Sequence, residues 1–258
     1  MLSVGESVER GLSTTVAERS EKFSKGGLPP YGDEDLSVLY WDARHARSGA
    51  AFFDWYLDYS RLRSVFHQEF PAAETQPEIL DVGFGTSEIP MRLFSDGWEF
   101  VTAVDLSAGS VRLAQQRREQ KSLQFLQMDA CKLNFPDHCF HAVFDKATFD
   151  TLVCSSRPNV SAQAYLSEVF RVLMPGGVFL MVTHSGPAER MPYLLQDPSR
   201  GWKVQAARIP KQSSLDGAEA EGETEEGEEL QEAAATKSRA PCYWLFLCTK
   251  PTESLESH

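Results

Sequence analysis

The stretch "ILDVGFGTSE" (residues 79–88) decides the fold of this 258-residue chain. An apolar run ends at Asp81, glycines follow at Gly83 and Gly85, and the residues beyond them indicate the start of a helix. Glycine lets the backbone turn tightly and approach a ligand without a Cβ in the way. In a doubly wound sheet, ligands bind beyond the carboxyl ends of the strands, where such a turn lies. The stretch therefore predicts a strand, a ligand-binding turn and a helix, in that order.

Strand and helix patterns alternate outward from this turn. Near-continuous apolar strands between amphipathic helices are typical of a parallel sheet that is covered on both faces. We predict an α/β fold with a doubly wound, mostly parallel, seven-stranded Rossmann-like sheet and an antiparallel closing strand. The predicted strands are "EILDVG", "FVTAVDL", "LQFLQMD", "HAVFDKA", "VFLMVTH", "WKVQAARI" and "CYWLFLCTK".

Helices are predicted before and between these strands. An aromatic-rich, mostly helical segment (residues 31–70) precedes the sheet, with apolar residues at helical spacing. The later helices are expected over residues 87–97, ending at Gly97, over residues 107–120, capped by Ser107, and over residues 161–177, capped by Ser161 and stopped by Pro175-Gly176-Gly177.

Composition indicates one domain with two tails. We predict a flexible N-terminal tail over residues 1–30, one domain over residues 31–250 and a C-terminal tail over residues 251–258. Residues 213–236 hold nine acidic residues and no basic one, and so account for most of the net charge of −12. Because such a block repels itself and buries little, we expect a disordered acidic insertion over about residues 211–240. It is either a solvated surface insertion or a tether for a basic partner, and it argues against nucleic-acid binding nearby.

Several classes of protein are excluded at this stage. The sequence has no run of about 18 apolar residues, so no membrane partner is predicted. The five cysteines form no CxxC pair and no acidic pair with metal-ligand character stands out, so neither a disulfide framework nor a metal site is expected.

We expect a cytoplasmic protein. The first 28 residues contain the Ser, Thr and Arg of a transit peptide but also four glutamates, which such peptides avoid, and mitochondrial location is the alternative.

The charges around the turn favour one kind of nucleotide cofactor. A dinucleotide site needs a third glycine where this chain has Glu88, whose charge at a helix start opposes a phosphate. A cofactor with an ammonium in its tail suits this neighbourhood better. Asp105 ends the next strand about 20 residues later, where a carboxylate can accept both hydroxyls of a ribose. Asp129 ends the third strand, either near the amine of an adenine or as a solvated turn residue.

Taken together, "ILDVGFGTSE", "AVDLS" and "QMDACKLNF" resemble the first three motifs of the class I S-adenosylmethionine-dependent methyltransferases. The later segment "VFRVLMPGGVFLMVTH" is similar to their helix, PGG and strand. The resemblance covers about residues 31–250. It implies the doubly wound fold and S-adenosyl-L-methionine as the cofactor.

A narrower resemblance rests on "FDKATFDTL", "YWDARH" and "FDWYLDYSRLRSVF". These segments look like those of protein-lysine methyltransferases related to the enzymes that modify elongation factor 1-alpha and mitochondrial citrate synthase. The chain departs from the pattern of that group at four positions, namely His45, Phe84, Ala147 and Phe149. Ala147 stands where the group has glycine, and its methyl group leaves the identity of the substrate open.

The resemblance implies a role for each matching residue. Asp81, Gly83, Gly85 and Ser87 would surround the methionine part of the cofactor. Asp105 and the backbone of Leu106 would hold the ribose and the adenine edge, and Asp129 and Ala130 would bind the adenine. Trp41 and Arg44 would close the site, with Arg44 paired to the methionine carboxylate. The alternatives are a core anchor for Trp41 and a surface ion pair for Arg44.

The end of the fourth strand is expected to hold the chemistry. Asp145 would lie beside the sulfonium of the cofactor, where its negative charge steadies the cation and steers an incoming lysine. Asp150 is interpreted as a helix N-cap, with a catalytic role as the alternative, and Lys146 as a structural ion-pair partner. The leading hypothesis is a protein-lysine methyltransferase whose partner is a protein that presents a lysine. A small-molecule methyltransferase and a catalytically silent cofactor-binding scaffold are the alternatives, and the oligomeric state is left open.

Overall fold

The computed structural model describes residues 34–47, 52–118, 122–211 and 241–252. The predicted N-terminal tail, the acidic block at residues 213–236 and most of the predicted C-terminal tail lie outside the described residues. Within the described ranges, every helix is too short or too polar to cross a bilayer.

Among the described residues, two α-helices and an extended segment precede the sheet. The helices are α1 (Glu34–Arg47) and α2 (Tyr59–Glu69). In α2, Leu62 and Phe66 are fully buried, as their helical spacing predicts, and the carboxylate of Asp58 caps the helix by accepting the backbone N–H of Arg61. The predicted helical segment is therefore interrupted, and its extended part (residues 52–58) passes over the ligand-binding end of the sheet.

The predicted strands and the helices between them are present, together with a helix over Pro187–Leu194 that the sequence did not predict. They are β1 (Ile79–Val82), α3 (Ile89–Ser95), β2 (Val101–Asp105), α4 (Ala108–Arg117), β3 (Gln124–Gln127), β4 (Phe140–Lys146), α5 (Thr148–Val153), α6 (Pro158–Val172), β5 (Leu173–Thr183), α7 (Pro187–Leu194), β6 (Lys203–Pro210) and β7 (Cys242–Thr249). Two predicted boundaries in α6 are wrong. The helix begins at Pro158, so Ser161 is not its cap, and it ends at Val172, so the PGG segment lies within β5.

Seven strands of the described residues form one sheet in the order β3-β2-β1-β4-β5-β7-β6. The first five strands are parallel, and β7 pairs antiparallel with both β5 and β6, which confirms the predicted fold class and its antiparallel closure. Strand order reverses between β1 and β4. In a doubly wound sheet this is the point where ligands bind.

Alternation along the strands sends side chains to two separate cores. Ile79, Ala103 and Phe144 pack with helices α2, α3 and α4 on the first face. Leu80 and Val143 pack with helices α5, α6 and α7 on the second face. Because neighbouring residues of a strand point to opposite faces, this parity decides which acidic residue reaches which side of the sheet.

Candidate active site

A pocket lies at the carboxyl ends of β1, β2, β4 and β5, beneath helix α1. It gathers residues that are distant in the sequence, because parallel strands all end at the same edge of the sheet. Of the residues predicted for the site, nine line this pocket: Trp41, Arg44, Asp81, Gly83, Gly85, Ser87, Asp105, Leu106 and Ala130.

The two glycines of the turn are required for different reasons. Gly83 has φ of +70°, and a Cβ built on it would lie 2.0 Å from the Oγ1 of Thr148. That hydroxyl is fixed, since it donates to the carbonyl of Val82 at 2.9 Å. Gly85 also has a positive φ, of +59°, but a Cβ there would lie 3.5 Å from the His45 ring. Gly83 is therefore needed for packing as well as for conformation, and Gly85 for conformation alone.

Asp81 presents an unsatisfied carboxylate oxygen to the pocket. Its side chain is buried, and its Oδ2 has no hydrogen-bond partner among the described residues. Burial raises the pKa of this carboxyl well above its ordinary value, and nearby carboxylates, Asp145 first among them, act in the same direction against the ammonium of Lys146. A buried acid without a partner is costly unless a ligand supplies one. The ammonium group in the tail of the predicted cofactor fits this position.

Asp105 holds the turn from the neighbouring strand. Its Oδ2 accepts the backbone N–H of Gly85 and its Oδ1 that of Ser107, both at 2.8 Å. Burial raises the pKa of the carboxyl to about 6, although these two hydrogen bonds oppose the shift. A carboxylate has about four acceptor positions, so further positions are available to ribose hydroxyls. Ser107 caps α4 as predicted, its hydroxyl accepting the backbone N–H of Ser110 at 3.2 Å.

Helix α1 covers the pocket with an indole, a guanidinium and an imidazole. Trp41, Arg44 and His45 all line it, and the guanidinium carbon of Arg44 lies 4.8 Å from the centre of the Trp55 ring. The helix is fastened to the start of α4, because Asp42 accepts the Ser107 hydroxyl at 2.5 Å. Trp41 and Arg44 therefore lie at the pocket, and closure of the site by them stays a prediction.

His45, which in the sequence is only a departure from a motif, is a further residue of the site. Its Nδ1 contacts the Ser110 hydroxyl, and its ring faces Gly85. Burial, together with the charge of Arg44, lowers the pKa of His45 to about 4. The imidazole is therefore neutral at physiological pH and acts as a polar wall of the cofactor site. Its position one helical turn after Trp41 was the available signal.

The extended segment 52–58 is bound to the glycine turn. The backbone N–H of Phe53 donates to the carbonyl of Thr86 at 3.2 Å, and the Ser87 hydroxyl donates to Asp54. Asp54 also forms an ion pair with Lys146 at 2.9 Å, and both side chains are largely buried. Lys146 is thus a structural ion-pair partner, as expected, and the pair holds the segment across the pocket.

Asp129 does not line the pocket. Its Oδ1 accepts the backbone N–H of Cys131 at 2.8 Å, which closes a local turn. The wall at this level is formed by Met128 and Ala130. The hydrogen bond to Cys131 supports the turn interpretation of Asp129, and the contact of its carboxylate with an adenine amine stays a prediction.

The position of Asp145 differs from the prediction. Its Oδ1 accepts the backbone N–H of Thr148 at 2.9 Å, and its Oδ2 accepts that of Phe149 at 3.0 Å and the hydroxyl of Tyr165 at 2.7 Å. The side chain is fully buried, and burial raises its pKa to about 7. Asp145 thus lies on the second face of the sheet and ties the start of α5 to α6, so a direct contact with the sulfonium does not fit this geometry.

The acid of this region that lines the pocket is Asp150. It is not the N-cap of α5, since that position belongs to Ala147, which has φ of +75°. The Asp150 carboxylate accepts hydrogen bonds from Tyr56, the Arg190 guanidinium and other donors, and it is 5% exposed. The interpretation of Asp150 as an N-cap is therefore wrong.

Comparisons with known proteins agree with this architecture. A family profile described as "Methyltransferase domain" matches residues 80–181. EEF1A lysine methyltransferase 4 of Mus musculus is 33% identical over 181 residues, which cover 66% of this chain and 69% of that protein. The eEF1A lysine and N-terminal methyltransferase of Xenopus laevis is 30% identical over 192 residues, or 72% of this chain and 27% of that protein. The chain thus spans about a quarter of the length of this second kind of relative.

A solved structure shows the same fold at low sequence identity. A SAM-dependent methyltransferase of Methanosarcina mazei superposes with a TM-score of 0.53 at 17% identity, covering 78% of this chain and all of that one. The fold, the glycine turn and the matched domain define a class I methyltransferase that uses S-adenosylmethionine as its cofactor. Within this class, the chain belongs to the family of EEF1A lysine methyltransferase 4.

Proposed function

We propose that this enzyme methylates the side-chain amine of a lysine in a protein. The observation that carries the proposal is an aromatic wall between the cofactor turn and solvent, formed by Phe53, Trp55 and Tyr56. Phe53 is 47% and Trp55 37% exposed, so an incoming protein can reach them. Aromatic faces attract a cationic group and also pack against an aliphatic chain, which are the two parts of a lysine side chain. The names of the relatives, which specify lysine methylation of eEF1A, support the same class of substrate.

The residues of the chain would act by positioning and by excluding water. When bound, S-adenosylmethionine would supply an activated methyl group on its sulfonium for transfer to the lone pair of the lysine amine. Asp81 would hold the ammonium of the cofactor and Asp105 its ribose. Trp41 and Arg44 would cover the bound cofactor. Most of the acceleration of an in-line methyl transfer is expected from alignment of the amine with the methyl group. The contacts that position the cofactor would therefore contribute most of the rate enhancement.

The test uses the full chain with radiolabelled cofactor. It is incubated with cell extract and, separately, with purified elongation factor 1-alpha and citrate synthase, and the labelled residues are identified by mass spectrometry. We expect label on a lysine. The control is Asp105→Ala, which loses the ribose contact and should lose the label. Label found only in small molecules would indicate the small-molecule alternative, and tight cofactor binding without any label would indicate the silent scaffold.

A further inference from the structure

A cluster of polar side chains that the cofactor does not need lies at the outer side of the pocket. Tyr56 comes from the extended segment, Asp150 from α5, and His184 from the residue after β5. All three line the pocket. The carboxylate at the centre is fixed from behind by Arg190 of α7, whose guanidinium lies 2.6 Å from its Oδ1.

The Asp150 carboxylate has no room for a substrate amine. Its Oδ1 accepts from Arg190 and from the Thr183 hydroxyl. Its Oδ2 accepts from the Tyr56 hydroxyl at 2.8 Å and from the backbone N–H of His184 at 3.2 Å, and lies 2.8 Å from the Nδ1 of the same histidine. Although burial opposes ionisation, the hydrogen bond from Thr183 and the charge of Arg190 lower the pKa of Asp150 below its ordinary value. Asp150 is therefore a fixed anion that orients its neighbours.

This anion determines the tautomer of His184. An ionised carboxylate only accepts hydrogen bonds, and the Tyr56 hydroxyl, 3.1 Å from Nδ1, donates to the same Oδ2, so the proton between Asp150 and His184 resides on Nδ1. The other ring nitrogen, Nε2, then carries a lone pair. No described residue forms a hydrogen bond with Nε2, and the side chain is 49% exposed. The arrangement is that of a base held in position by a buried acid.

Tyr56 belongs to the same cluster, and its backbone conformation there is strained. It has φ of +64°, a value that is rare for a bulky residue. Its ring packs 4.9 Å from that of Tyr243, and burial followed by the charge of Asp150 raises the pKa of its hydroxyl, which therefore stays protonated. Strain of this kind persists where the surrounding structure requires one position, and it is common at functional sites.

We propose that His184 is the base that receives the proton of the acceptor ammonium, with Asp150 and Tyr56 as positioning residues. The inference rests on the proposed lysine substrate. An N–H bond of the lysine ammonium breaks and an H–Nε2 bond forms, which leaves a neutral amine with its lone pair and an imidazolium whose charge faces Asp150. The imidazolium later returns its proton to water. This step supplies what a lysine needs, because its free pKa of about 10.4 leaves little neutral amine near pH 7.

The first experiment needs neither substrate nor cofactor. The ¹⁵N shifts of the His184 ring, measured by NMR on the full chain with ¹⁵N-labelled histidine, report which nitrogen carries the proton, and His184→Asn assigns the signals. We expect the neutral ring to be protonated at Nδ1. A neutral ring protonated at Nε2 would overturn the proposal, whatever the activity of the enzyme.

The second experiment uses the acceptor protein that is labelled on lysine in the extract. His184→Asn keeps a donor toward Asp150 but lacks the second nitrogen. We expect a fall in kcat of about 100-fold near pH 7, with unchanged affinity for S-adenosylhomocysteine. The deficit should shrink as the pH approaches about 10, where lysine loses its proton to solvent. The titratable groups in contact with His184 are Tyr56 and Asp150, and the directions of their pKa shifts keep both from titrating between neutral pH and this range.

The matched control is His67→Asn. His67 is also a partly exposed histidine beside an aspartate, with its Nε2 3.2 Å from Asp96, but it does not line the pocket. Its variant should keep the wild-type kcat at every pH. A wild-type kcat in His184→Asn would overturn the assignment and leave lysine methylation intact, whereas the absence of lysine label with the wild-type enzyme would overturn both.

Discussion

Replacing Asp81 by asparagine should separate cofactor binding from the stability of the fold. In the ligand-free protein, Oδ2 of Asp81 is buried and has no partner among the described residues. Asparagine has nearly the same shape and removes the ionisable group. Because burial disfavours the ionised carboxylate more than the Lys146 ammonium favours it, we expect Asp81→Asn to raise the free energy of unfolding of the ligand-free protein by about 1–3 kcal/mol.

The effect on cofactor affinity has the opposite sign. The bound ammonium loses a buried, oppositely charged partner, and truncating one member of such a pair costs about 2–5 kcal/mol. This corresponds to a dissociation constant about 30- to 3,000-fold higher. The affinity of the wild type should also fall as the pH is lowered through the raised pKa of Asp81, since the carboxyl must lose its proton to pair with the ammonium. The variant should lack this part of the pH dependence.

Two measurements check this prediction. Isothermal titration calorimetry with S-adenosylhomocysteine gives the affinity, and thermal unfolding without ligand gives the stability. Glu88→Gln is the matched control, because it removes one negative charge at the same turn from a residue that pairs with Arg92 and does not line the pocket. If Asp81→Asn bound S-adenosylhomocysteine with wild-type affinity, or if it unfolded much more easily without ligand, Oδ2 of Asp81 would not be the partner of the cofactor ammonium.

Three further predictions concern the turn, the second face of the sheet and helix α1. Gly83→Ala should abolish S-adenosylhomocysteine binding in calorimetry, because its Cβ would clash with Thr148, whereas Gly85→Ala should destabilise the fold only by about 1–2 kcal/mol of backbone strain. Wild-type affinity in Gly83→Ala would contradict the packing argument. Asp145→Ala should lower the free energy of unfolding in urea by about 3 kcal/mol, since three buried donors lose their acceptor, and should leave cofactor affinity nearly unchanged. If Asp145→Ala instead lost affinity for S-adenosylhomocysteine without a loss of stability, Asp145 would contact the cofactor. Because the pKa of His45 falls from 6.5 to about 4 on folding, the unfolded state binds the proton more tightly, and the wild type should lose up to about 3 kcal/mol of stability between pH 6.5 and pH 4. Urea unfolding at a series of pH values should show no such loss in His45→Gln. If the free energy of unfolding of this variant fell with pH as steeply as that of the wild type, His45 would not be a buried, neutral imidazole.

The succession of strands along the chain and the cofactor end of the site could be predicted from the sequence. Apolar strands, the glycine turn and acids at strand ends are local patterns, and a parallel sheet brings its carboxyl ends together whatever the details of packing. This reasoning placed Asp81, Gly83 and Asp105 on one pocket. The resemblance to class I methyltransferases rests on motifs in the same stretches.

The part of the site that would receive the lysine could be located only from the tertiary structure. The register of the sheet sets Asp81 beside Phe144 and Val82 beside Asp145, so Asp145 points to the second face and Asp81 to the first. The sequence shows that both acids end strands, but the register decides which face each one occupies. Tyr56, Asp150 and His184 are likewise separated by up to 128 positions and meet only because a strained segment, a short helix and a strand end converge. Such contacts depend on long-range packing, and no local pattern in the chain encodes them.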